Sequence, residues 1–185
     1  MLIVEGTDLV GKTTFCHKLL DALNAHPELG NAYQYQHLTR LPPGFHRYWG
    51  YLPRMGRNLV QDRFHDSEMA YCYGRDENCM LTEETYQLVQ AQLDLLGAYK
   101  VVITATENLL EERFKRKHKD EMYTISVIQR ANEWFIDNGS RFDCEISCNG
   151  SNLWPEIGEI VERYVARQFN LSLTVLSKPT YYDTL

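Results

Sequence analysis

The feature that most constrains this chain lies at its start. Gly6-Thr7-Asp8-Leu9-Val10-Gly11-Lys12-Thr13 fits the pattern G-x-x-x-x-G-K-[ST]. Leu2-Ile3-Val4 before it is an apolar run too short for a helix, and after it Phe15, Leu19 and Leu23 recur every four positions through 12–25. A strand, a glycine-bearing loop and a helix in that order form a cradle for phosphate. The glycines let the loop curl so that backbone N–H groups point inward, and the helix N-terminus adds partial positive charge. Lys12 then bridges the outer phosphates, and Thr13 offers a hydroxyl to Mg²⁺. Gly6, Thr7, Leu9, Val10, Gly11, Lys12, Thr13 and Thr14 are the expected contacts of a nucleoside triphosphate. The loop leaves open what receives the phosphoryl group.

The remaining chain continues the alternation. Alternating aromatics predict a strand over 33–39, Asn58 to Gln61 a short strand ending at Asp62-Arg63, Lys100 to Ala105 a buried strand, and Phe142 to Ser147 a last one. Helices are expected from Ser67, from Thr82 as a cap through Tyr86, Val89, Leu93 and Leu96 to Gly97, over 107–119, over 124–137, and from Pro155. A short helix is expected around 46–55. Strands alternating with helices predict an α/β fold: a three-layer α/β/α arrangement of the P-loop NTPase type around a central parallel sheet, as one domain over 1–185.

Composition sets the surroundings. With 19 Lys+Arg against 25 Asp+Glu the net charge is −6, which argues against a stable nucleic-acid partner but permits one local basic cluster facing a small phosphorylated molecule. The five cysteines form no Cys-x-x-Cys pair and read as reduced thiols. No apolar stretch approaches the length of a membrane helix and the N-terminus carries no signal-peptide pattern, so a cytoplasmic protein without membrane contact is expected.

Two blocks carry a resemblance to a known family. Glu5-Gly6-Thr7-Asp8-Leu9-Val10-Gly11-Lys12-Thr13-Thr14 resembles the E-G-x-D-x-x-G-K-[ST]-T opening of the thymidylate kinases, and Asp62-Arg63-Phe64-His65-Asp66-Ser67-Glu68-Met69-Ala70-Tyr71 is similar to their D-R-[YF]-x-x-S-x-x-A-Y. The resemblance implies Mg²⁺-dependent transfer of the ATP γ-phosphoryl group to a deoxynucleoside monophosphate, dTMP or a related, including 5-substituted, pyrimidine. It implies that Asp8 faces the acceptor sugar, that Tyr71 lies under the deoxyribose, that Ser67 belongs to the acceptor site, and that a mobile lid spans about 111–123. It also implies a homodimer, which the apolar stripes by themselves do not require.

Asp62 stands where a carboxylate can hold Mg²⁺ beside the loop, and the Arg63 guanidinium suits an acceptor phosphate. Arg113 and Arg116 are the lid cations expected to meet transition-state charge, the more so because Leu9 and Val10 stand where some family members carry a basic residue. Asn149 lies in the stretch that borders the donor adenine in that family. By the same resemblance Phe45 stands for the family aromatic that stacks on the acceptor base and Arg47 for the arginine that meets its phosphate, and Arg40 is a further candidate for the acceptor site. The 40–62 stretch is shorter than in the family and Cys72 replaces its usual Gln, so base specificity stays open. Residues 169–185 extend past the family's closing helix as a tail. A deoxynucleoside kinase would instead need a carboxylate base, for which Glu5 is available. A kinase for a modified base or a polynucleotide end would want a longer basic track. A GTP-selective switch would want an Asn-Lys-x-Asp motif, which the sequence lacks.

Overall fold

The computed structural model describes residues 1–29, 32–38, 58–117, 123–150 and 154–176, with the backbone alone at 154–155 and 170–176. Its strands are β1 (Leu2–Gly6), β2 (Gln34–His37), β3 (Leu59–Asp62), β4 (Tyr99–Ala105) and β5 (Cys144–Cys148). They form one parallel sheet in the order β2-β3-β1-β4-β5. β1, β3 and β4 are buried at every position, and their apolar residues come in short runs, Leu2-Ile3-Val4, Leu59-Val60 and Val101-Val102-Ile103, rather than alternating with polar ones.

Six α-helices flank the sheet among the described residues: α1 (Lys12–Ala25), α2 (His65–Arg75), α3 (Glu83–Leu95), α4 (Glu107–Lys117), α5 (Ile125–Asp137) and α6 (Trp154–Leu176). The pleat of β1 divides the core. Leu2 and Val4 pack with Phe15, Leu19 and Leu23 of α1 and Ile160 and Tyr164 of α6. Ile3 packs on the other face with Phe64 and with Tyr86, Val89 and Leu93 of α3. Val102 of β4 joins that second face with Ala70 and Tyr71 of α2 and Ala131 and Phe135 of α5. The result is the expected three-layer α/β/α arrangement.

Several expected boundaries shift for local reasons. β2 begins after Tyr33, whose N–H is taken by the Asn24 side chain at 2.9 Å instead of a neighbouring strand. α2 begins at His65, two residues before the expected Ser67. β5 begins at Cys144 because Phe142 turns to pack near Phe135, ring centroids 6.1 Å apart, and the Asp143 side chain accepts the Lys100 N–H at 2.8 Å. The expected Thr82 cap holds, accepting from Thr85, and Thr124 caps α5 in the same way, accepting from Val127. α6 runs on to Leu176, so the first part of the expected tail, 169–176, continues the helix, where no Gly or Pro interrupts it. The expected helix around 46–55, residues 118–122 of the lid and residues 177–185 of the tail lie outside the described residues. No helix among the described residues is long and apolar enough to cross a membrane.

Gly6 ends β1 opposite Ile103 of β4 with φ at +136°, and a Cβ there would run into the Ile103 carbonyl oxygen. Gly6→Ala therefore combines a disfavoured backbone with a clash against a fixed strand. It is expected to destabilise the fold by about 3 kcal/mol, read from denaturant unfolding midpoints; an unchanged midpoint would contradict the close approach.

Candidate active site

The loop between β1 and α1 is shaped by backbone conformation. Gly6, Leu9 and Gly11 all have positive φ, at 136°, 70° and 96°. Gly11 stands at the N-cap of α1 with no side-chain cap, which leaves the first helical N–H groups for an anion. Lys12 is 5% exposed and its ammonium donates to the Thr7 carbonyl, so the charge lies tucked along the loop. Burial, reinforced by the Arg63 charge, pulls its pKa down to about 8, while Asp62 and Asp8 resist that shift. An anion bound in the loop would add to the negative charge that Asp62 and Asp8 already offer this buried cation.

Thr13 and Asp62 meet at the end of β3. The Thr13 hydroxyl donates to Asp62 Oδ2 at 2.9 Å, and the Tyr35 hydroxyl donates to the same oxygen at 3.0 Å. His37 Nδ1 lies 3.1 Å from it. The other carboxylate oxygen, Oδ1, is buried with no hydrogen-bond partner among the described residues. An orphaned carboxylate oxygen beside a hydroxyl, both hard donors, fits a hydrated divalent cation such as Mg²⁺. Thr13 and Asp62 are the residues that would hold it.

Arg63, next along the chain, has φ at 70° and donates its N–H to the Val4 carbonyl at 2.9 Å. Its guanidinium pairs with Asp8 and lies 5.3 Å above the Tyr71 ring. Tyr71 donates its hydroxyl to Asp8 Oδ2 at 2.6 Å and accepts the Asp8 N–H at 2.7 Å. Burial opposes ionisation of Asp8, but Arg63 and Lys12 outweigh it and hold its carboxyl below the usual carboxylate range. The first loop and the Asp62-Arg63 segment are thus joined by two bridges, Thr13 to Asp62 and Asp8 to Arg63.

These groups open on a cleft of about 580 Å³, within the range of small-ligand sites. Lys12, Arg63, Arg113, Arg116 and Lys117 put cations on it, and Asp8, Leu9, Val10, Gly11, Thr13, Thr14 and Asp62 line it. Arg113 reaches across from α4 to donate to the Leu9 carbonyl at 2.6 Å, with Cys148 Sγ at 3.7 Å. Arg116 stays at the rim, 73% exposed and paired with Glu112. Cys148 and Gly150 line the cleft on either side of the expected Asn149, which is exposed. Gly6 and Thr7 lie buried at the base of the loop. Arg40, Phe45 and Arg47 lie outside the described residues.

Ser67 is placed differently from the expectation. It is buried away from the cleft lining and donates its hydroxyl to Glu5 Oε2, while the Phe64 N–H donates to Glu5 Oε1 at 2.8 Å. Starting α2 at His65 turns Ser67 toward β1, so Ser67 clips the helix to the sheet. Sequence reasoning missed this clip, and it missed Tyr35 and His37 beside Asp62. An acid inside an apolar strand was the visible signal for the first. The two-residue spacing on one strand face was the signal for the second.

Burial, with the Asp66 charge adding to it, pushes the Glu5 carboxyl up from 4.5 to about 7 against the pull of Ser67, Phe64 N–H and Lys100. The unfolded chain releases this proton near the ordinary value, so the folded state loses stability as pH rises from there through about 7. His65, whose pKa burial pushes down to about 4, acts oppositely as pH falls. Glu5→Gln keeps an acceptor for Phe64 without the charge. Its stability relative to the unsubstituted protein is expected to climb between about pH 4.5 and 7, by up to about 3 kcal/mol, and to level off above that. Unfolding curves of both proteins at matched pH check this, and a flat difference contradicts it.

No protein-family profile and no curated protein matches the chain. Among solved structures, the YorR protein of Bacillus subtilis, in complex with phosphorylated GDP, superposes with a TM-score of 0.63 at 19% identity, over 96% of this chain and 98% of that one. A gluconokinase from Sinorhizobium meliloti 1021 superposes with a TM-score of 0.46 at 15% identity, over 96% and 97% of the two chains. The parallel sheet order, the glycine-bearing loop between β1 and α1 and the first of these likenesses together give the chain a three-layer α/β/α fold shared with the YorR protein.

Proposed function

We propose that the protein transfers the γ-phosphoryl group of ATP to the phosphate of a nucleoside monophosphate, with dTMP or a related, including 5-substituted, pyrimidine deoxynucleotide as acceptor. The observation that carries this reading is the position of Arg63. It is a cation with a side chain 17% exposed, lining the same cleft as the phosphate cradle and joined to it through Asp8. A planar guanidinium can pair two oxygens of an acceptor phosphate, while Lys12 and the N-terminus of α1 hold the donor. Mg²⁺, when bound at Thr13 and Asp62, neutralises charge on the donor's outer phosphates.

The chain's own groups then orient two phosphates for in-line transfer. The acceptor phosphate is already ionised, so no strong general base is required and no covalent enzyme intermediate forms. Arg113, which rests on the Leu9 carbonyl of the loop, is the cation that in this reading meets charge on the moving group. Asp8, fixed between Arg63 and Tyr71, offers an acceptor to a sugar hydroxyl. The phosphorylated GDP held by the YorR protein belongs to the same chemical class as this donor and product, and it makes GTP a second donor to test.

A nucleoside kinase is the less favoured reading because the carboxylate available to it as base, Glu5, is fully buried, bonded to Phe64 and Ser67, and off the cleft. The test is a panel assay with Mg²⁺ and ATP or GTP against each nucleoside, each ribo- and deoxynucleoside monophosphate including 5-substituted pyrimidines, and a short DNA, with products separated by ion exchange. Diphosphate from a pyrimidine deoxynucleotide is the expected result. Monophosphate from a nucleoside, or labelled DNA, overturns the reading.

A further inference from the structure

The donor side of the cleft has an element that its loop motif does not account for. β2 is an edge strand, paired in register with β3 so that His37 stands opposite Asp62 and Tyr35 opposite Val60. Strand period two puts Tyr35 and His37 on one face, and both reach the same atom, Asp62 Oδ2, at 3.0 and 3.1 Å. The His17 ring braces Tyr35, with centroids 4.5 Å apart. Thr13 donates to that oxygen as well, while Oδ1 is buried without a partner among the described residues.

A carboxylate with no such neighbours can rotate and offer either oxygen. Here two hydroxyl donors and a ring nitrogen converge on one oxygen, which fixes the side-chain rotation and leaves the other for a cation's hydration shell. We propose that Tyr35 and His37 are positioning residues for a divalent cation, acting through Asp62. They hold Oδ2 so that Oδ1 alone serves the metal. This inference rests on the kinase reading of the cleft and extends it to a strand that touches neither phosphate in that reading.

The experiment measures how much Mg²⁺ strengthens binding of a non-hydrolysable ATP analogue, by calorimetry with Mg²⁺ and with EDTA, and follows Mn²⁺ in the same complex by electron paramagnetic resonance. Tyr35→Phe and His37→Ala together are expected to cut the metal-dependent gain by about tenfold, the scale on which partners of metal ligands act, with the EDTA affinity unchanged. His37→Gln, which keeps a donor for Oδ2, is expected to restore part of the gain and to sharpen the Mn²⁺ spectrum again. Asp62→Asn is expected to abolish the gain. Where the double variant does not fold, Tyr35→Phe alone, which removes a single oxygen atom, is expected to lower the gain measurably. A full gain in the Tyr35 and His37 variants, with Asp62→Asn still losing it, overturns the positioning role and leaves the kinase reading standing. An unsubstituted protein whose nucleotide affinity ignores Mg²⁺, or an Asp62→Asn variant that keeps the gain, overturns both.

Discussion

Replacing Lys12 by Met is expected to slow phosphoryl transfer by about 10³-fold while leaving the protein folded. The ammonium is buried along the loop, bonded to the Thr7 carbonyl, and its pKa is already drawn down to about 8 by its surroundings. Removing such a group costs one hydrogen bond and relieves the desolvation of a charge, so the two effects on stability oppose each other. Catalysis has no such compensation, because the negative charge of the transferring group then develops without the cation nearest the loop. Single-turnover rates beside thermal unfolding of the same preparation separate the two consequences. A Lys12→Met variant that transfers phosphate at the native rate would mean that the loop does not serve the donor.

Replacing Arg63 by Ala is expected to lower kcat/KM for the acceptor monophosphate by about 10²- to 10³-fold, with binding of ATP in the absence of acceptor little changed. Arg63 is partnered by Asp8 and stacked over Tyr71, so an incoming phosphate takes a guanidinium that is already aimed. Arg63→Lys is expected to recover only part of the loss, since one ammonium cannot match two phosphate oxygens in a plane. The comparison that decides the role is between acceptors. A loss confined to phosphorylated acceptors supports a phosphate grip; an equal loss with unphosphorylated nucleosides would make Arg63 a support for Asp8 and Tyr71 instead.

The contrast between these residues and the ones missed shows where sequence information stops. Lys12, Thr13, Asp62 and Arg63 were legible because each sits at a fixed offset from a short apolar run, Leu2-Ile3-Val4 or Leu59-Val60, that opens a buried strand. The helix over 12–25 was legible to the residue because Gly11 and Pro27 bracket a four-residue apolar period. Tyr35 and His37 were not, because their meeting with Asp62 is a matter of sheet register between strands separated by residues 38–58. Ser67 shows the converse limit. Its place in a motif located it correctly in the chain, but its direction depends on where α2 begins, and the buried Glu5 carboxylate draws it inward. Arg113 and Arg116 share a helix and a charge, yet only Arg113 reaches the loop. An offset of three residues on a helix is too small a difference for the sequence alone to rank them.

The proposed function requires one cleft to hold a donor triphosphate and an acceptor phosphate end to end. Calorimetric titration with a two-headed ligand, adenosine and thymidine joined through five phosphates, probes both halves at once. One ligand per chain is expected, bound about 10²-fold or more tighter than ATP, with the advantage lost in Arg63→Ala. Binding no tighter than that of ATP, or an advantage that survives Arg63→Ala, would contradict that function.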